Sequence, residues 1–224
     1  FFGTPGQPPT LRVVPTQMTM QMHMAGAMYG LTERITLMGM TNYAANDMDH
    51  LTYRGGMGTA VRGGFTTSSK GWGDSKIAAI IGLDNRSKPK RQINLNVGLT
   101  LPTGSIEHTD QILTPMGGTP RPRLPYPMQT GTGTYDFTPA LTYFDRHRKV
   151  GWGAQASARI PLGENSEGYK RGDTFAATAW MAYEPAYWIS FSGRLKAESK
   201  GSIEGQDAVI IAPVQTANPD NHGG

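Results

Sequence analysis

Residues 91–102 read RQINLNVGLTLP. Ile93, Leu95, Val97, Leu99 and Leu101 recur at every second position, with Gln92, Asn94, Asn96, Gly98 and Thr100 between them. Successive side chains of a strand point to opposite faces, so this stretch predicts a strand with one apolar and one mostly polar face. The same period recurs outward along the chain. In 72–83, Ile77, Ala79, Ile81 and Leu83 alternate with Asp74 and Lys76. In 134–144, Tyr135, Phe137, Leu141 and Tyr143 alternate with Thr134, Asp136, Thr138 and Thr142. In 150–162, Trp152, Ala154, Ala156 and Ile160 alternate with Gln155, Ser157 and Arg159. In 174–183, Phe175, Ala177, Ala179 and Met181 share a face, with Trp180 the odd member opposite. From Tyr187 onward, Tyr187, Ile189, Phe191 and Leu195 oppose Arg194, Lys196 and Glu198. Segments 35–43 and 18–29 complete eight predicted strands.

Each segment runs about ten residues, whereas soluble strands average about 5–6 and a membrane-crossing strand needs about 9–11. The connections add a second signal. The predicted turns 30–34, 84–90, 145–149 and 184–186 are short, and the connections 44–71, 103–131, 163–172 and 200–224 are longer. Short turns on one rim and long loops on the other form the plan of an outer-membrane barrel, and a soluble sandwich has no reason to alternate so. Aromatic residues near strand ends, among them Tyr43, Tyr135, Trp152 and Tyr183, suit its interfacial girdles. The expected fold is therefore all-β, an antiparallel up-and-down transmembrane β-barrel with its apolar faces toward lipid. Residues 1–17 are expected as an N-terminal extension or loop, 18–199 as the barrel with periplasmic turns and extracellular loops, and 200–224 as an extracellular loop or tail. With short turns periplasmic, both ends of an eight-strand path lie outside. That parity predicts at least one further strand at each end, for about 10–12 in the complete protein. Position 1 is Phe and no signal peptide is visible, so a processed or partial form is expected.

Composition narrows the functions. No apolar run approaches the ~18–20 residues of a membrane helix. The chain of 224 residues has no cysteine, which excludes disulfides and thiolate metal sites. The net charge is +4 and the pI about 9.3. The basic residues collect in short connections, such as Arg146, Arg148 and Lys149, rather than on one stripe, so no nucleic-acid partner is expected. No GxSxG, HExxH or phosphate-binding loop is present, and no enzyme is expected.

Two groups of residues are candidate sites. The polar faces bring Asp74, Lys76, Asn94, Asn96, Asp136, Gln155, Arg159, Arg194, Lys196 and Glu198 to the barrel lumen. There they pair across strands, or line a pore and set its selectivity. Nine of the twelve methionines fall within 18–57, near His23 and His50. Thioether and imidazole suit copper(I), which makes Met22, His23, Met24, Asp47, Asp49 and His50 candidate metal ligands. Met22 and Met24 lie on the opposite strand face from His23, and a flexible apolar surface is the competing explanation. The face carrying Met18, Met20, Met22, Met24 and Met28 is expected to point outward, which turns Tyr29 inward. The Pro- and Gly-rich segment 103–131 folds inward as a plug, stays outside or meets a partner; sequence leaves these open.

Several motifs also resemble a known family. They are MQMHMAGAMYGLTERITLMGMTNY at 20–43, GWGDSKIAA at 71–79, LTLPTGSI at 99–106, GWGAQASARIPLGENSEGYKRGD at 151–173, AWMAYEPAYWISFSGRL at 179–195 and ANPDNHGG at 217–224. Together they resemble outer-membrane proteins grouped as "MetA-pathway of phenol degradation" and labelled transporters. The resemblance implies a bacterial outer-membrane location with lipid and lipopolysaccharide as surroundings, and passage of small hydrophobic or aromatic compounds. It also implies strands before the first motif and after the last. A copper-associated envelope barrel and a filled barrel without transport are the alternatives.

Overall fold

A computed structural model describes residues 12–84 and 91–210. The alternating segments pair in chain order. Strands β1 (Val13–Gly30), β2 (Ile35–Tyr53), β3 (Val61–Trp72), β4 (Ser75–Gly82), β5 (Arg91–Leu101), β6 (Asp136–His147) and β7 (Val150–Pro161) are followed by the two-residue β8 (Tyr169–Lys170). Then come β9 (Thr174–Ala186), β10 (Ile189–Lys200) and the short β11 (Glu204–Gly205). The main sheet runs β1-β2-β4-β5-β6-β7-β9-β10, every pair antiparallel, with β3 on β2 above β4. β3 and β4 meet β2 end to end, so the sheet has eight strand positions. It curls into a half-barrel: residues of β2 and β10, at opposite sides of the sheet, line one cavity. Among the described residues the sheet does not close. β1 and β10 are its edges and do not pair with each other.

Four expectations about the elements change. Residues 44–71 are not a loop. β2 continues to Tyr53, and β3 returns along it from Val61 opposite Tyr53 to Trp72 opposite Tyr43, with one register shift between Thr52 and Tyr53. Polar residues there hid the alternation, which runs through Ala44, Asn46, Met48, His50 and Thr52. The first strand starts at Val13, not at Met18, because Val13 pairs with Thr52 on this extended hairpin. The turn expected at 184–186 is strand, and the chain reverses at Tyr187–Trp188, both exposed. At the other short turn whose residues are all strand-flanked, Arg148–Lys149, Arg148 has φ 51°. A two-residue hairpin turn needs positive φ, and here Arg supplies what Asn or Gly usually does. Most of the expected turn 84–90 and the tail from 211 lie outside the described residues.

The fourth change concerns direction. Opposed residues in a ladder share a face. Met24 opposes Asn42, which lines the concave cavity, and Met22, Met20 and Met18 oppose Ala44, Asn46 and Met48. The methionine face therefore points inward, and Tyr29, opposite Leu37 and exposed, points outward. The β1 methionines stay exposed on that concave side, and the segment 103–131 packs on the same face over Met48 of β2. Its Leu124 and Met128 are fully buried and cluster with Met48.

The convex face changes character with height. Its rows read Ala27, Gly39, Ile77, Leu99, Phe137 and Ile160, then Tyr29, Leu37, Ala79 and Val97. Leu141, Phe175, Met181 and Leu195 continue the apolar surface, Leu195 being 80% exposed. Above the row His23, Tyr43 and Trp72 the same face becomes polar. Asp47 accepts from Ser68 (2.6 Å) and Asp49 from Thr66 (2.6 Å). Tyr43 and Trp72 meet edge to face, with ring centroids 5.7 Å apart. From Tyr43 to Ile35 the apolar band spans eight steps along β2, about 26 Å before tilt at ~3.3 Å per residue.

Candidate functional site

The concave face holds a cavity of about 550 Å³. Its walls come from β2, β4, β5, β6, β7, β9 and β10, and its roof from Thr130, Gly131, Thr132 and Arg171. The ten residues expected in the lumen all lie on this face of the sheet. Asp74, Lys76, Gln155, Arg159, Lys196 and Glu198 line the cavity itself. Asp136 is fully buried behind it: its Oδ2 accepts from Arg159 Nε (2.7 Å) and Nη2 (2.5 Å), and its Oδ1 from Thr134 (2.6 Å). Asn94, Asn96 and Arg194 share the face but stand away from the cavity. Trp180, the residue that broke the apolar pattern of its strand, lies flat over Gly153, where a Cβ would meet the indole at 2.5 Å. Arg194 covers that indole with its guanidinium 5.8 Å from the ring centre, a cation–π contact that anchors it below the cavity.

Asp74 sits at the bend between β3 and β4, and it fastens the roof. Its Oδ2 accepts from the Thr132 N–H and hydroxyl, each at 2.8 Å, and its Oδ1 from Gly104 N–H at 3.0 Å. Lys196 donates to Glu198 (2.5 Å). Lys76 makes no ion pair among the described residues. Its stem occupies the space left by Gly98, where a Cβ would come within 2.9 Å of Cε.

The roof is a clasp of three connections. Arg123 of 102–135 bonds Asp207 after β10 (2.7 Å) and Glu167 between β7 and β9 (2.8 Å). Burial opposes the charge of Arg123, but these two hydrogen bonds outweigh it and raise its pKa. Tyr126, Tyr169, Ile203 and Ile210 form the apolar side of the clasp. Burial pushes the Tyr169 phenol up to about 12. The segment also seals the free edge of β3, where Asp110 accepts from Ser68 N–H (2.8 Å). Of the three fates left open for 103–131, the structure shows the inward one: it roofs the cavity. Sequence reasoning missed Arg171 and Arg123 because both lie in loops, where no period marks direction.

The candidate metal ligands do not converge. Met22 and Met24 face inward and His23 outward. Asp47 and Asp49 face outward, bonded to Ser68 and Thr66, while His50 faces inward and stacks on Phe65, with ring centres 4.6 Å apart. Among the described residues no three His, Asp or Glu side chains come together to hold a metal ion. The comparisons with known proteins add nothing to this geometry. No family model and no curated protein matches the chain. The likeness stated from its motifs rests on those motifs alone.

Proposed function

We propose that the half-barrel is part of a closed barrel in the bacterial outer membrane, and that it passes small molecules through its lumen. One observation carries this reading: the sheet is inside out relative to a soluble protein. Its convex face exposes a band of Leu, Ile, Val, Phe and Met, while its concave face holds Asp136, Thr138, Asn46 and Ser69. Water would penalise such a surface, and lipid would not. At the ~40° tilt of membrane-barrel strands the band is about 20 Å tall, somewhat short of their ~25 Å apolar girdle. Tyr43 and Trp72 stand at its upper border, and Trp152, Tyr183, Tyr187 and Trp188 near its lower one, where rings with one polar tip are favoured. In hydrocarbon the unpaired N–H and C=O groups of β1 and β10 would each cost several kcal/mol, roughly the cost of an unmet polar group. Closure of the barrel is therefore part of the proposal.

Passage needs no covalent chemistry, only a lumen wide enough and suitably charged. The motif resemblance supports the same role. The test is conductance of the purified full chain in planar bilayers. Discrete current steps above the bare-bilayer level are expected. Silence at every applied voltage, with insertion verified by protease protection, would leave a filled barrel without transport.

A further inference from the structure

The concave wall is divided by chemistry. On β1 and β2 it carries eight methionines: 18, 20, 22, 24, 28, 38, 40 and 48 share the even-numbered, inward face. From β4 to β10 it carries hydroxyls and charges. The seam falls at Met40, which stands directly opposite Lys76. Opposed Cβ atoms lie about 4.5–5.5 Å apart, and from there the Lys76 stem leans over Gly98 of β5.

The charges on the polar side are unevenly matched. Asp136 is taken by Arg159 and Glu198 by Lys196. Both oxygens of Asp74 are occupied by roof N–H and hydroxyl groups. Among the described residues Lys76 has no carboxylate in an ion pair with it. Arg171, in the roof, donates only to the carbonyls of Tyr126 (3.3 Å) and Gly131 (3.4 Å). Burial above all, and the neighbouring Arg159 guanidinium, lower its pKa, against the opposite pull of Asp74 and Asp136. Lys76 and Arg171, neither in an ion pair among the described residues, therefore line one cavity, and the methionine face adjoins it at the Met40–Lys76 seam.

We propose that this cavity binds small amphiphilic carboxylates. The carboxylate sits in the cavity between Lys76 and Arg171, and the apolar chain leaves it past Asn42 onto the adjoining methionine face of β1 and β2, which begins at Met40. The Thr100, Thr138 and Thr174 hydroxyls supply further donors to the head group. Methionine side chains are flexible and polarizable, so the wall accepts chains of differing shape. A doubly charged inorganic anion would leave that wall idle; a neutral apolar molecule would leave both cations unmet. The cavity of about 550 Å³ is within the usual range for ligand pockets and takes the head group; among the described residues no methionine lines it. This names the permeant class for the channel reading and rests on it for transport; binding needs only the cavity.

The experiment is calorimetric titration of the full chain in lipid nanodiscs, with heats from empty nanodiscs subtracted. The probes are octanoate, its uncharged analogue octanamide, and the short-chain butyrate. Octanoate is expected to bind saturably, at least ten-fold tighter than either of the others. Lys76→Gln lowers octanoate affinity ten-fold or more, Lys76→Arg retains it, and Met40→Thr weakens octanoate without changing butyrate. Equal binding of octanoate and octanamide to the wild-type chain overturns the proposal whether or not the variants fold. So does the absence of saturable octanoate binding. Bilayer recordings separate the two readings. Octanoate binding without conductance keeps the site and removes the channel, whereas conductance with no octanoate binding keeps the channel and removes the site.

Discussion

Asp136 shows how one carboxylate can hold a wall of the cavity. It has no exposure to solvent and three donors on its two oxygens. Asp136→Asn would leave the Arg159 guanidinium without its counter-charge. Breaking a fully buried pair costs about 3–5 kcal/mol; Arg159 keeps 35% of its side-chain exposure, so a loss of about 2 kcal/mol is expected. Urea unfolding in detergent reads it directly. His108 sets a pH dependence for the roof. Its ring Nε2 lies 3.0 Å from the Thr130 hydroxyl, and burial lowers its pKa from the ordinary 6.5. The unfolded segment therefore binds a proton that the folded one resists. The contribution of His108 is complete above pH 6.5 and is lost as pH falls through the lowered value. Limited proteolysis of 103–131 should accelerate on acidification below pH 6.5, and His108→Gln should flatten the profile.

At the scale of elements, the three long connections act as one unit. Arg123 is 12% exposed and its partner Asp207 not at all. Arg123→Met would strand Asp207 in the roof, a loss of about 3 kcal/mol by the rule for broken buried pairs. Hydrogen exchange should then rise together in 102–135, 162–173 and 201–210 while the strands keep their protection. Exchange confined to the first of these segments would contradict the clasp. The strands were largely readable from sequence, and the clasp was not. The reason is physical. Ile93, Leu95, Val97 and Leu99 announce a strand because each must meet the same environment as its neighbour two places away. Arg123, Arg171 and Asp207 meet partners set by chain reversal, which leaves no period. The β2–β3 hairpin lies between these cases: its alternation is present, but Asp47 and Asp49 stand where lower strands carry Leu and Ile. The inward turn of the methionines was missed for a related reason, since Met suits either face and only the register with Asn42 decides.

At the scale of the molecule, the two faces should respond in opposite ways to charge. Leu141 lies mid-band on the convex face and is 50% exposed; Thr142, its neighbour, faces the lumen beside Gln155 (2.8 Å). Arginine at a lipid-facing midplane position costs about 2–4 kcal/mol in known membrane barrels. On the membrane reading, Leu141→Arg should lose that much in folding titrations with lipid vesicles, and Thr142→Arg much less. Equal losses would contradict the assignment of faces. The extended hairpin has a consequence of another kind. β2 runs ten residues past Tyr43 to Tyr53, about 33 Å at ~3.3 Å per residue, while β5 ends at Leu101 well below it. Its tip is tied by Arg12, which donates to the carbonyls of Arg54, Gly55 and Gly58. On the membrane reading this hairpin is a mast above the lipid headgroups. It would be what antibodies or phage meet first on an intact cell. A short epitope inserted between Gly56 and Met57 should be readable by flow cytometry on unpermeabilised cells, at a site remote from the cavity.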